Sequence, residues 1–301
     1  MKTDISEKGL EALVVAAMTG RTSAPTGGGF SEEPEPFVGL HNWLLGDRQA
    51  YDRAWTVDLA QLRAFIGATQ PPLVEAFDLD NDSPARQKFF ARLQGVIGKR
   101  GVIDVLRNGV KHGAHGVDLF YGTPSPGNGK AAERFALNRF SVTRQLRYSR
   151  DDTAHALDLA LFINGLPIAT FELKNSLTKQ TVEDAVEQYK RDRDPREKLF
   201  EFGRCIVHFA VDDAQVKFCT QLKGKASWFL PFNKGWNDGA GNPPNPDGIK
   251  TDYLWKDILT PHGLTDIIEN YAQIVGRKDP RSNRTKRDQL FPRFHQLDVV
   301  R

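Results

Sequence analysis

The chain has 301 residues, 40% of them apolar and 10% aromatic: enough for one large domain or two ordinary ones, and too apolar for a disordered chain. No apolar run approaches the ~20 residues that span a bilayer. Its two cysteines, Cys205 and Cys219, supply neither a disulfide framework nor a four-ligand zinc site, so a reducing cytoplasm is the simplest setting. The formal net charge is only +3, yet residues 1–85 carry −7, 86–150 carry +10, 151–276 carry −5 and 277–301 carry +5, which suggests a polyanion-binding surface beside a carboxylate-rich site.

In chain order, the first predicted element is a helix over 5–18, with Ser6 as N-cap and Leu10, Leu13, Val14 and Ala17 on one face. A Gly/Pro-rich break over 22–36 reads as a loop. A second helical pattern spans 57–67. A third starts at Ser83-Pro84, with Phe89, Phe90, Leu93, Val96 and Ile97 as its apolar stripe and Arg86, Lys88 and Arg92 beside it. The stretch 140–148 alternates as a strand, with Phe140, Val142, Leu146 and Tyr148 on one face and Arg144 as the exception on it. Residues 156–163 and 167–174 are two further strands, joined at the hairpin signal Asn164-Gly165. Val182, Ala185, Val186 and Tyr189 predict a helix over 181–191. The apolar run 205–211 reads as a strand buried on both sides, and 216–220 as an edge strand. Beyond it lie a Gly/Pro-rich loop over 235–248, a helix over 258–275 broken after Pro261, and a basic linker or strap over 277–287. The order helix, three antiparallel strands, helix, strand predicts an α/β fold with a mixed central sheet flanked by helices.

One grouping suits a specific chemistry. Asp158 starts the second strand; Glu172 and Lys174 end the third. Two carboxylates can hold Mg²⁺ through hard oxygen ligands, and a nearby ammonium can orient a water or offset developing negative charge. Both acids lie within apolar runs, where an unpaired carboxylate is costly. Whether they meet depends on register. A two-residue loop, Asn164-Gly165, pairs Ile163 with Leu166 and sets Asp158 opposite Phe171, facing away from Glu172. A three-residue loop over 164–166 pairs Ile163 with Pro167 and sets Asp158 directly across from Glu172, with Cβ atoms about 4.5–5.5 Å apart. The chemistry requires the second register, so a three-residue loop is expected, with Gly165 left-handed and a bulge. Of the histidines, His208 reads as a packed core residue and His155, close to Asp158, as a candidate substrate contact; neither these two nor His262 has zinc-ligand spacing.

The stretch LDLALFINGLPIATFELKN over 157–175 resembles the nuclease region of the R subunit (HsdR) of type I restriction–modification systems. The segments GVIDVLRNGVK (101–111), NRFSVTRQLRYS (138–149), DAVEQY (184–189), FLPFNKG (229–235), TDYLW (251–255) and FPRFHQLDVVR (291–301) extend that resemblance over most of the chain. The resemblance implies a PD-(D/E)xK restriction-endonuclease-like core of order αβββαβ. It also implies catalytic Asp158, Glu172 and Lys174, with Mg²⁺ held by Asp158 and Glu172. Leu157 stands where the pattern's proline would be. Related nucleases carry Gln-x-x-x-Tyr on the next helix. Here Tyr189 fits but Ala185 stands four before it, so Gln188 and Tyr189 are kept as candidate DNA or metal-shell contacts, beside Arg144, Arg147 and Arg150 of the basic strand as guides for the phosphate backbone. A third acidic ligand, Glu7 or Glu11, stays open.

The family's R subunit is longer and joins its nuclease to an ATP-driven helicase-like motor. This sequence contains no Gly-x-x-x-x-Gly-Lys-Ser/Thr phosphate loop; near Gly129-Lys130, Pro124 and Ala131 stand at required positions. The expectation is an N-terminal piece, with 1–85 a helical extension, 86–227 the endonuclease core, and 228–301 loop, helices and linker leading to the motor. ATP would then be used only by the full-length subunit. Implied partners are double-stranded DNA, the specificity and methyltransferase subunits, and the motor in cis, which Lys234 could contact. No membrane partner is expected. The alternative is a catalytically silent DNA-channel and motor-docking module.

Overall fold

The computed structural model describes residues 7–21, 43–151, 155–278 and 285–300. The N-cap Ser6 and the break over 22–36 fall outside them. Strands β1 (Trp43–Leu45), β2 (Phe140–Arg147), β3 (Ala156–Ile163), β4 (Leu166–Leu173), β5 (Val207–Val211), β6 (Val216–Cys219) and β7 (Leu230–Pro231) lie side by side in that order. β2, β3 and β4 are antiparallel, β5 is parallel to β4, and β1 is parallel to β2, so the sheet is mixed as expected. The crossover from β4 to β5 carries a helix, as a parallel connection requires. The predicted edge strand 216–220 is not the edge: Leu230 and Pro231 pair outside it.

The helices follow their apolar spacing. α1 (Glu7–Thr19) buries Leu10, Val14 and Met18 at four-residue intervals. α2 (Leu59–Thr69) starts after Asp58, whose carboxylate accepts from Gln61 N at 3.1 Å. α3 (Pro84–Arg100) is capped by Ser83 and buries all five residues of its predicted stripe. α4 (Val102–Asn108) follows directly. α5 (Val182–Asp192) buries Val182, Ala185, Val186 and Tyr189, and Asp184 accepts from the Thr181 N–H at 2.7 Å. One hydrophobic core draws on residues from Leu10 to Leu297, so the three predicted segments share an interior; a smaller core lies between the sheet and α5. Among the described residues no helix is long and apolar enough to cross a membrane.

Two expectations near the C-terminus need correction. Pro261 does not break a helix but begins one, Pro261–Asp266, where its missing N–H costs nothing. Of the basic stretch predicted as a linker or strap, 279–284 lie outside the described residues, and residues 277–278 and 285–287 belong to an antiparallel ribbon, β8 (Gln273–Lys278) against β9 (Thr285–Leu290). Its apolar and amide residues are spaced to anchor one face, a pattern that local charge obscured.

The β3–β4 hairpin is the element that positions the site. Its turn has two residues, not three: Ile163 pairs with Leu166, and Asn164 and Gly165 sit at φ +50° and +83°. Positive φ at both positions is the turn that matches the right-handed twist of the flanking strands. By itself this register faces Asp158 away from Glu172. A bulge corrects it. Phe162 pairs with Pro167, but Leu161 pairs with Ala169, leaving Ile168 as the extra residue. Ile168 and its neighbour Ala169 both join the larger core, so the alternation reverses between them. Leu159 then pairs with Phe171, and the next positions are Asp158 and Glu172.

Gly165 also meets a close neighbour: a Cβ there would lie 2.4 Å from Asp58 O and 2.7 Å from Leu62 N. Gly165→Ala is therefore expected to lose about 2–5 kcal/mol, from left-handed strain plus overpacking, read as a drop in the urea midpoint at unchanged slope.

Candidate active site

Asp158 on β3 and Glu172 on β4 come to the same end of the hairpin, with Lys174 one residue past β4. Asp158 accepts from Leu173 N at 2.7 Å and from Gln145 Nε2 at 3.3 Å. Glu172 is wholly buried. Its Oε1 accepts from Arg193 Nε at 2.6 Å, and its Oε2 has no hydrogen-bond partner among the described residues. Burial pushes its carboxyl up to about 8; Asp158 adds to the rise, while Arg193 and Lys174 oppose it. The Lys174 amide donates to Val211 O at 2.8 Å, which extends the β4–β5 ladder to the residue that carries the ammonium.

Arg193 is the residue that sequence reasoning missed. It follows α5, and its guanidinium bridges Glu172, the Ala156 carbonyl at 2.8 Å and the Tyr148 hydroxyl at 3.4 Å. It lies over the Tyr148 ring, 5.7 Å from the centroid. Nothing in the local pattern of Lys190, Arg191 and Arg193 separates this buried arginine from its solvated neighbours; only the path of α5 across the sheet does so.

Glu11 and Gln145 also belong here. Glu11, buried on α1, accepts from Arg144 Nε and from Gln145 Nε2, the latter at 2.6 Å. Gln145 thus joins Glu11 to Asp158 through one amide. Its φ of +48° interrupts β2, and the predicted alternation ends there: Phe140 and Val142 face the larger core, Leu146 and Tyr148 the smaller one. Such a conformation in a non-glycine residue stores strain, a frequent mark of functional sites. The signals that could have found this trio were Arg144 on an apolar face and Glu11 within the apolar stripe of α1. The Glu7 side chain lies outside the described residues.

The nucleic-acid candidates do not form one surface. Arg144 is engaged with Glu11, whereas Arg147 is exposed. Arg150 is exposed and donates to Ala54 O at 3.1 Å. Gln188 is half-buried. Tyr189 must be withdrawn as a DNA contact: it is fully buried, its hydroxyl 2.8 Å from Thr170 Oγ1 and its ring against Phe229. Lys234, expected to face a motor, lies 4.8 Å from the Tyr253 ring centroid of its own chain. His155 is exposed, and His262 stacks on Phe135.

His208 is a core residue, as expected, with Nδ1 2.7 Å from Thr170 Oγ1. Burial drives its pKa down to about 3. The unfolded chain takes up a proton near pH 6.5 and the folded chain does not, so this histidine's contribution is complete above 6.5 and is lost as pH falls towards 3. His208→Leu is expected to flatten the decline of Tm over that interval; an unchanged acid slope would count against it.

Among the described residues no group of three or more His, Cys, Asp or Glu side chains could hold a metal ion. The Asp158–Glu172 pair nevertheless fits one hard divalent cation. Both donors are carboxylate oxygens, their charges raise each other's cost, and Glu172 Oε2 is buried without a partner.

Residues 68–227 match the family model described as type I restriction enzyme R protein N terminus. A Methanocaldococcus jannaschii protein provisionally named a type I restriction enzyme MjaVIIIP endonuclease subunit is 28% identical over 174 residues, covering 54% of this chain and 14% of that protein. A second protein of the same organism, provisionally named a type I restriction enzyme MjaIXP endonuclease subunit, is 32% identical over 78 residues, covering 25% of this chain and 8% of its own length. The chain thus spans a small fraction of the relatives it matches.

Proposed function

This chain belongs to the family of type I restriction enzyme R protein N termini, and from that premise we propose that it is a Mg²⁺-dependent DNA endonuclease domain with a PD-(D/E)xK core. The observation that carries the reading is the bulge at Ile168, which brings Asp158 and Glu172 to one face, where Glu172 Oε2 has no partner among the described residues. Asp158 and Glu172 would hold the cation. Bound there, it would polarise the phosphate and lower the pKa of a water. Lys174 would orient a water and offset charge on the phosphoryl oxygens. Leu173 N and the Gln145 amide fix the Asp158 carboxylate, and Glu11 fixes the Gln145 amide in turn. Contacts to DNA would go to phosphates, without base readout, with Arg147 on the exposed flank.

In the whole R subunit, cleavage would follow translocation by an ATP-driven motor, with recognition and methylation left to the specificity and methyltransferase subunits. The test is nicking of supercoiled plasmid by this chain with Mg²⁺ against EDTA. A second reading, a module silent until assembled, is favoured by Arg193, which already neutralises Glu172. Nicking only by the assembled complex would support that second reading.

A further inference from the structure

The ribbon of β8 and β9 is not absorbed by the carboxylate site. Its strands pair from Gln273↔Leu290 to Lys278↔Thr285, and directly opposite side chains share a face. The inner face is anchored. Ile274 lies against Gly101 and Gly203, and Gln289 Nε2 donates to the carbonyls of Cys205 and Ile206 at 2.8 and 2.7 Å. The Arg287 guanidinium sits 5.1 Å from the Phe202 ring centroid. Towards the far end the ribbon becomes exposed and cationic, with Arg277 directly opposite Lys286 on one face and the exposed Lys278, opposite Thr285, ending the other. Like charges so placed repel. Among the described residues Arg277 and Lys278 have no acidic partner, and the acid near Lys286 is Asp288 at 3.9 Å. Lys99, exposed at the end of α3 where Arg287 reaches Gly98 O, adds a further cation.

We propose that this ribbon is a second nucleic-acid contact, in which Arg277, Lys278 and Lys286 bind the phosphate backbone of duplex DNA. A rigid base carrying a repelling cationic end is a surface built for an anion from outside. A two-stranded ribbon is of a size that the DNA major groove admits. Protein interfaces are depleted of lysine and centre on aromatic or apolar anchors, whereas DNA-binding surfaces are polar and strongly positive. The exposed end of this ribbon has the second character. It also stands apart from the carboxylates: Gln289 grips the chain at Cys205 and Ile206, while the β5 residue beside Glu172 is Ala210. Binding here does not require Asp158 and Glu172 to be catalytic, so the two readings stand or fall separately.

The experiment is an anisotropy titration of a fluorescein-labelled duplex with the 301-residue chain in EDTA, between about 50 and 200 mM salt. The triple variant Arg277→Ala/Lys278→Ala/Lys286→Ala should bind at least about tenfold more weakly, and its log–log salt slope should be shallower by about 0.9 for each phosphate that the variant no longer neutralises. The pair Arg277→Lys/Lys286→Arg should retain parental affinity. Unchanged affinity in the triple variant, or weaker binding at an unchanged salt slope, would overturn the proposal, as would equally weak binding by the charge-conserving pair. The titration in EDTA reads binding without Mg²⁺-dependent nicking, which separates a failure of this surface from a failure of the nuclease reading.

Discussion

Replacing Asp158 with Asn, or Lys174 with Ala, should remove Mg²⁺-dependent nicking while leaving the fold intact. Asn keeps the shape of Asp158 and one acceptor for Leu173 N, but removes a charge that a hard cation needs. Losing a metal ligand costs several kcal/mol of transition-state stabilisation, so a decrease of about 10³-fold or more is expected. Lys174→Ala removes an ammonium but leaves the backbone bond to Val211, so the end of β4 stays in register. Its expected loss is about 10²–10³-fold, the range for one electrostatic stabiliser of a developing anion. Circular dichroism and Tm should match the parent chain. Full nicking by either variant would sink these roles.

Arg193→Met should be the most destabilising of the charge substitutions near the site. The Arg193–Glu172 pair is buried on both sides, and removing one partner leaves the other charge without compensation, a cost of about 3–5 kcal/mol. The remaining carboxyl escapes by taking a proton, which burial already favours. The defect should therefore deepen as pH rises. The double variant Arg193→Met/Glu172→Gln removes both charges and should recover much of the loss; their coupling is read from the four urea midpoints of the cycle. If Asp158 and Glu172 hold a cation as proposed, Mn²⁺ should stabilise Arg193→Met more than the parent chain, since it would replace the missing guanidinium charge. If Glu172→Gln gives no relief, the pair is not what holds this corner.

The sequence by itself determined the element order and singled out a candidate site. Asp158, Glu172 and Lys174 are legible because two acids within apolar runs are costly unless something draws them together. The stripes of α3 and α5 are legible because burial at helical spacing is a local property. Charge blocks were less informative. Part of the +10 block is spent on contacts within the fold: Arg107 donates to the carbonyls of Ile268 and Ala272, Arg139 to Gln61, and Arg144 to Glu11. A sequence count cannot separate an arginine that ties off carbonyls from one that faces solvent.

Tertiary structure decided the register, the counter-ion and the ribbon. Asn164-Gly165 wrote a two-residue turn, and that turn alone would have turned Glu172 away from Asp158. Ile168, one extra residue on β4, reversed the alternation because both it and Ala169 could be buried against the same core. No local rule distinguishes that bulge from regular alternation in an all-apolar strand. Arg193 reached Glu172 because α5 carries its end over Tyr148 and Ala156, a relation between elements far apart in the chain. Residues 277–278 and 285–287, where charge suggested a linker, joined a strand pair because Gln289 and Ile274 found buried partners near Cys205 and Gly101. The composition and spacing of residues state which groups are costly to leave alone; only the packed chain determines which partner each one finds.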